Sequence, residues 1–155
     1  MNPVAKQKAL LDRVNKLEQS LLAVPQVECP VWHFFAPGLY ARQMLILAGT
    51  VLVGVVHKSE HLCFVSGDID VTTDSGVRRI RDQQRILVSK PGTKRAGFAR
   101  ADTVWTTVHA TTTTDLDALV EELTESTSAE LLGGARNKQA LTNAADRLKL
   151  VKEQS

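Results

Sequence analysis

Between Val27 and Thr111 the sequence breaks into short apolar runs divided by turn residues, and this rhythm limits the fold more than any other feature. Pro30-Val31-Trp32-His33-Phe34-Phe35 is stopped by Pro37-Gly38, and Leu39 to Leu47 is parted from Thr50 to Val56 by Ala48-Gly49. Leu62 to Val65 and Ile69 to Thr72 flank Gly67-Asp68, which reads as a hinge. Asp74-Ser75-Gly76 is a hairpin turn with glycine where a positive φ is needed. Val77 to Ile80, Gln84 to Ser89, Ala96 to Arg100 and Thr103 to Thr111 complete the series, with Pro91-Gly92 and Ala101-Asp102 as connections. The count of about nine or ten strands at regular spacing predicts an all-β sandwich or barrel. No helix long enough for a βαβ unit lies between them, so a double-sheet jelly roll is expected.

Helical periodicity flanks this region on both sides. Leu10, Val14, Leu17 and Leu21 form one stripe of a helix over 3–23, with Pro3 suited to its first position and Pro25 ending it. That stripe serves either a contact within the domain or self-association. After Thr114, which with Asp117 resembles a capping box, Leu116, Leu119, Val120 and Leu123 make a second stripe. Gly133-Gly134 breaks the chain, and a last helix is expected over Lys138 to Lys152. The predicted organisation is an N-terminal amphipathic helix (1–24), a jelly roll (27–112) and a C-terminal helical extension (114–155).

With 155 residues, 43% of them hydrophobic, the chain can bury a single core, and a net charge of +2 gives no overall nucleic-acid footprint. The basic clusters Arg78, Arg79, Arg81, Arg85 and Lys90, Lys94, Arg95, Arg100 fit charged strand edges. No membrane association and no specific nucleic-acid partner are expected. Cys29 and Cys63 are far apart in apolar surroundings, which favours buried free thiols. With no apolar signal core and no membrane-length run, the expected location is the cytoplasm.

Chemistry concentrates in His57-Lys58-Ser59-Glu60-His61, two imidazoles, a carboxylate and an ammonium between two strand-like runs. His57 and His61, four apart, share a face of a strand, and Glu60 then points the other way unless the segment bends. His109 on the last strand can approach them. His57, His61 and His109, with Glu60, are therefore the ligand set for a divalent transition ion, should one bind. Tyr40, Arg42 and Trp105 are candidates for stacking and a pocket rim. His33 beside Phe34 and Phe35 reads as a core or interface histidine. No nucleophile elbow surrounds Ser59 or Ser66, and neither a Walker loop nor a dinucleotide fingerprint is present.

The order strand, Gly49, strand, His57, Glu60-x6-Gly67 resembles the first motif of the cupin superfamily, and Gly92-Thr93-Lys94-Arg95 resembles the end of the second, with arginine replacing its histidine. More narrowly, His57 to Leu62, Pro91 to Arg95 and Asp102 to His109 resemble small cupin-like proteins of tailed phages. The resemblance covers about residues 30–112 and implies a mainly β, cupin-like double-stranded β-helix. It also implies that Arg95 takes an inward position that a metal-binding relative gives to a ligand. Arginine keeps its proton and cannot be that ligand. A buried guanidinium needs an acidic partner, for which Glu60 is the internal candidate, or an anionic ligand.

The function expected is therefore a non-catalytic, homo-oligomeric binding protein that holds, and by resemblance sequesters, a small anionic or nucleotide-like ligand. Its binding set is His57, Lys58, Glu60, His61, Lys94, Arg95, Trp105, His109, Tyr40 and Arg42. No cofactor is assigned, with a divalent transition metal as the alternative. Two other readings stay open: a cupin enzyme, metal-dependent or a metal-free sugar-nucleotide isomerase type, using His57, Glu60 and His109; and a structural phage protein with a vestigial pocket.

Overall fold

The computed structural model describes residues 2–24 and 26–127, and the helix expected over Lys138 to Lys152 lies outside them. Helix α1 (Pro3–Leu22) begins where foreseen: Asn2 caps it by accepting from the Val4 amide at 2.9 Å, with proline at the first turn. Val14 is its buried residue, and Lys94 donates to Glu18 and Asn15 on the same helix. The stripe therefore docks within the chain, beside β3.

Seven strands follow: β1 (Val31–Ala36), β2 (Leu39–Ile46), β3 (Val51–Val53), β4 (His61–Thr73), β5 (Gly76–Ser89), β6 (Ala96–Ala99) and β7 (Thr103–Ala110). They form one antiparallel sheet in the order β1-β2-β7-β4-β6-β3, with β5 also paired to β4. The sheet is curled, because β4 pairs with β7 over Leu62 to Ser66 and with β6 over Ile69 to Val71.

The strand count is lower than the sequence suggested, for one physical reason. Gly67 is not a hinge between two strands. It sits in a β-bulge where the β4–β5 register shifts, so each pair of expected short strands is one long strand. Its φ of 140° and its closeness to the β6–β7 turn both demand glycine: a Cβ there would stand 2.7 Å from Thr103 Cα and from the Asp102 carbonyl oxygen.

Alternation along the strands sends Ile46, Val65, Ile69, Val71, Ile80 and Ala99 into one core. Tyr40, Leu119 and Leu123 form a second cluster, which seats helix α2 (Leu116–Leu123) on the sheet. The N-cap of α2 is Asp115, accepting from the Ala118 amide at 2.8 Å, rather than Thr114. Aspartate one residue nearer the helix reaches that amide directly. The C-terminal end of α2 is strapped to the segment before β4 by Lys58 N to Leu123 O (2.9 Å) and Glu125 N to Val56 O (3.0 Å), with His57 bridged to Thr124.

The basic clusters are largely neutralised in place. Arg79 makes two hydrogen bonds to Asp68, at 2.8 and 2.7 Å, and Arg85 and Arg100 pair with Asp82 and Asp70. No helix among the described residues is long and apolar enough to cross a membrane.

Candidate metal and anion site

The inward side chains of β2, β4 and β7, with the segment at His57 and one wall from α2, enclose a cavity of about 620 Å³. His61 opens β4 and His109 is the last residue but one of β7, each on the inward side, and both are buried. His57 comes from the strap to α2. The three rings converge, with centroids 4.3 Å (His57–His61), 4.4 Å (His61–His109) and 5.2 Å (His57–His109) apart. One nitrogen of each lies within 4.8 Å of the others.

Three observations fit this trio to a transition ion. A tetrahedral ion with bonds near 2.1 Å needs nitrogens about 3.4 Å apart, so closure asks for movements of about 1 Å. His61 Nδ1 faces the Ser59 carbonyl at 3.0 Å. A carbonyl only accepts, so Nδ1 carries the hydrogen and leaves the Nε2 lone pair for a ligand bond. His109 Nδ1 is buried with no hydrogen-bond partner, a cost that a metal or a ligand atom would remove.

Electrostatics keep the rings neutral, the state that binds metal. Burial, then the neighbouring imidazoles and Arg42, push His57 down to about 3. Burial, His61 and Arg42 push His109 down to about 4. Burial lowers His61 as well, opposed by its bond to Ser59 and assisted by Arg95. Between the ordinary value of 6.5 and these lowered ones, the unfolded chain takes up protons that the folded chain refuses. Stability from this site is thus complete above pH 6.5 and declines as pH falls through 6.5 toward 3. The melting temperature of the metal-free protein should drop between about pH 7 and pH 5, and His57→Gln should flatten that dependence. An unchanged slope in the variant would contradict the assignment.

Two guanidinium groups flank the trio. Arg42 on β2 lies opposite His33 and Thr107 and bears electrostatically on His33, His57 and His109. Arg95, just before β6, bears on His61 and Cys63. Arg95 Nη1 donates to the Thr72 carbonyl at 3.1 Å, while its Nε is buried with no partner. Burial is the main influence on Arg42 and lowers its pKa; Tyr40 and Cys29 oppose that shift. Among the described residues neither arginine forms an ion pair with a carboxylate. Among the described residues Glu28 is the one carboxylate on the cavity lining.

Of the residues singled out from the sequence, His57, Arg95, Trp105, His109, Tyr40 and Arg42 line the cavity, and His61 joins the histidine trio. Lys58, Glu60 and Lys94 do not line it. Lys58 Nζ donates to the Glu121 carbonyl, Lys94 is held by α1, and Glu60 is exposed and forms no ion pair with Arg95. The competition between His61 and Glu60 for His57 thus goes to His61. His33 belongs to the site wall: its Nδ1 is 2.7 Å from the Tyr40 hydroxyl, and its buried Nε2 has no partner. The wall given by α2 was not anticipated, although its stripe of Leu116, Leu119, Val120 and Leu123 was visible in the sequence.

Fold and cavity together define a curled antiparallel β-sheet domain with a basic interior lined by histidines. No protein-family model and no curated protein matches the chain. It is similar to solved structures of cupin and double-stranded β-helix domains. One is the cupin domain of an XRE-family transcriptional regulator from Enterobacter cloacae (13% identity, 55% of this chain and 99% of that one, TM-score 0.44). A second is an uncharacterised double-stranded β-helix protein from Klebsiella pneumoniae (14% identity, 59% and 80%, TM-score 0.46). A third is salicylate 1,2-dioxygenase from Pseudoaminobacter salicylatoxidans (12% identity, 64% and 31%, TM-score 0.46).

Proposed function

We propose that this protein binds a small anionic molecule in its cavity, beside a divalent transition ion held by His57, His61 and His109. The observation that carries this reading is the convergence of three neutral imidazoles and two guanidinium groups on one cavity. Three protein nitrogens leave at least one coordination position open, and an anion can fill it. Arg42, on β2, and Arg95, just before β6, both line the cavity and supply permanent charge with planar donor forks. An anionic ligand would also offset the burial of Arg42 and engage the free Nε of Arg95.

Retention without turnover is the role we assign first, with sequestration of a metabolite or nucleotide-like anion as its form. The open position on a three-histidine ion favours a second reading, a metal-dependent enzyme acting on the same class of molecule. In it the ion would polarise a bound oxygen, while Arg42 and Arg95 orient the anion and the wall of α2 limits water.

Elemental analysis and native mass spectrometry of the purified protein test the proposal. One equivalent of a transition ion and an anionic adduct are expected. Arg95→Ala and Arg42→Gln should each weaken the adduct by about tenfold or more while leaving the ion in place. An adduct retained in both variants would sink the role of the arginines. Turnover of the released anion by the metal-loaded protein would select the enzymatic reading.

A further inference from the structure

The outward face of the sheet changes character at the β4 bulge. Beyond it, outward Asp68 and Asp70 are ion-paired with Arg79 and Arg100, as expected of a face in water. Before it, the same strand presents Leu62 and Phe64. The strand register extends each of them into a row that crosses five strands. One row runs Phe34, Ala41, Val108, Leu62, Val88, and the next runs Trp32, Gln43, Thr106, Phe64, Ile86. Leu45, Val104 and Ser66 continue the patch. None of these rows contains an ionisable side chain.

A sheet face meant for solvent alternates apolar inward and polar outward. Here both sides are apolar, and Phe34, Ile86 and Val88 keep 52%, 56% and 58% of their surface exposed. Neither described helix covers them, since α1 lies beside β3 and α2 lines the cavity. The polar pair at the centre is joined by one hydrogen bond, Gln43 Nε2 donating to Thr106 Oγ1 at 3.3 Å, and the Gln43 amide oxygen would need a partner across the interface.

We propose that this face is the interface with a second copy of the chain, sheet against sheet about a two-fold axis. Its extent suits that partner. Two rows of five strands and one of three, at about 4.8 Å between strands and about 6.8 Å per two-residue step, span roughly 400 Å² before side-chain margins, the scale of a small interface beside the ~800 Å² per partner of a standard one. Two-fold apposition puts the same rows against each other, and with no charge on them it opposes no like charges and selects no oppositely charged foreign surface. The proposal is independent of what the cavity holds.

Sedimentation equilibrium of the full chain is the test. The wild type should give a dimer mass, about twice the 17.0 kDa chain. Phe34→Asp places a carboxylate on each half of the interface and should weaken the dimer at least about a hundredfold. Val77→Asp alters a more exposed apolar residue on the charged half and should leave it intact. If Phe34→Asp fails to fold, Ile86→Thr at the rim should still weaken the dimer by about tenfold. A monomeric wild type, a dimer indifferent to both face variants, or one equally broken by Val77→Asp would each overturn the proposal. So would a monomer whose face is shielded from hydrogen exchange by residues 128–155.

Discussion

Replacing His61 or His109 by alanine should lower the affinity for a divalent transition ion by at least about a hundredfold, the upper range for loss of a mere supporting contact. Each variant leaves two imidazoles, too few for the closed side of a tetrahedral site. Glu60→Gln should leave the affinity unchanged, because that carboxylate is exposed and absent from the cavity lining. Titration calorimetry with zinc, and visible spectra of the cobalt-loaded protein, separate the cases. The wild type should show tetrahedral cobalt bands that both histidine variants lose. Equal affinity in wild type and His109→Ala would end the metal assignment. The thermal shift on metal addition gives a second readout, since an ion at a hundred times its dissociation constant stabilises by about 2.7 kcal/mol.

The largest effect on folding is expected at Gly67. An alanine there would set its Cβ 2.6 Å from Thr103 Oγ1 and 2.7 Å from two backbone atoms, at a φ of 140° that L-residues avoid. Backbone on both sides leaves no flexible end to yield. Thr103 Oγ1 is itself committed, accepting from the Asp68 amide at 3.1 Å. Gly67→Ala should therefore destabilise the protein by about 2–4 kcal/mol. Gly92→Ala, with φ of 80° but open space at Cβ, should cost about 1–2 kcal/mol. Urea unfolding of the two variants decides it; equal midpoints would show that the close approach to Thr103 carries no weight.

The inward-facing part of the site was legible because alternation is a strong rule. Thr107 and His109 share a side of β7, His61 and Cys63 share a side of β4, and the hydrogen-bond ladder leaves little choice once the strands exist. The role of Lys58 and Lys94 was not legible, since a flexible ammonium can reach any acceptor nearby, and these reach α2 and α1. Glu60 is the same kind of case, because its direction depends on a short non-strand segment. The merger of expected short strands into β4 and β5 was hidden by Gly67, as a glycine that ends a strand and one that bulges it look alike in sequence. The α2 stripe announced a buried face without saying which surface would receive it.

The strap between α2 and the segment at His57 ties two processes together. The residue proposed to grip the ion lies between Val56 and Lys58, whose backbone groups hold Glu125 and Leu123 at the end of the cavity wall. Movement of α2 away from the sheet would part these two hydrogen bonds and disturb His57. An ion on His57 would stiffen that segment in turn. Metal occupancy would then act on the dwell time of the cavity's contents, slowing their release even where their equilibrium affinity is unchanged.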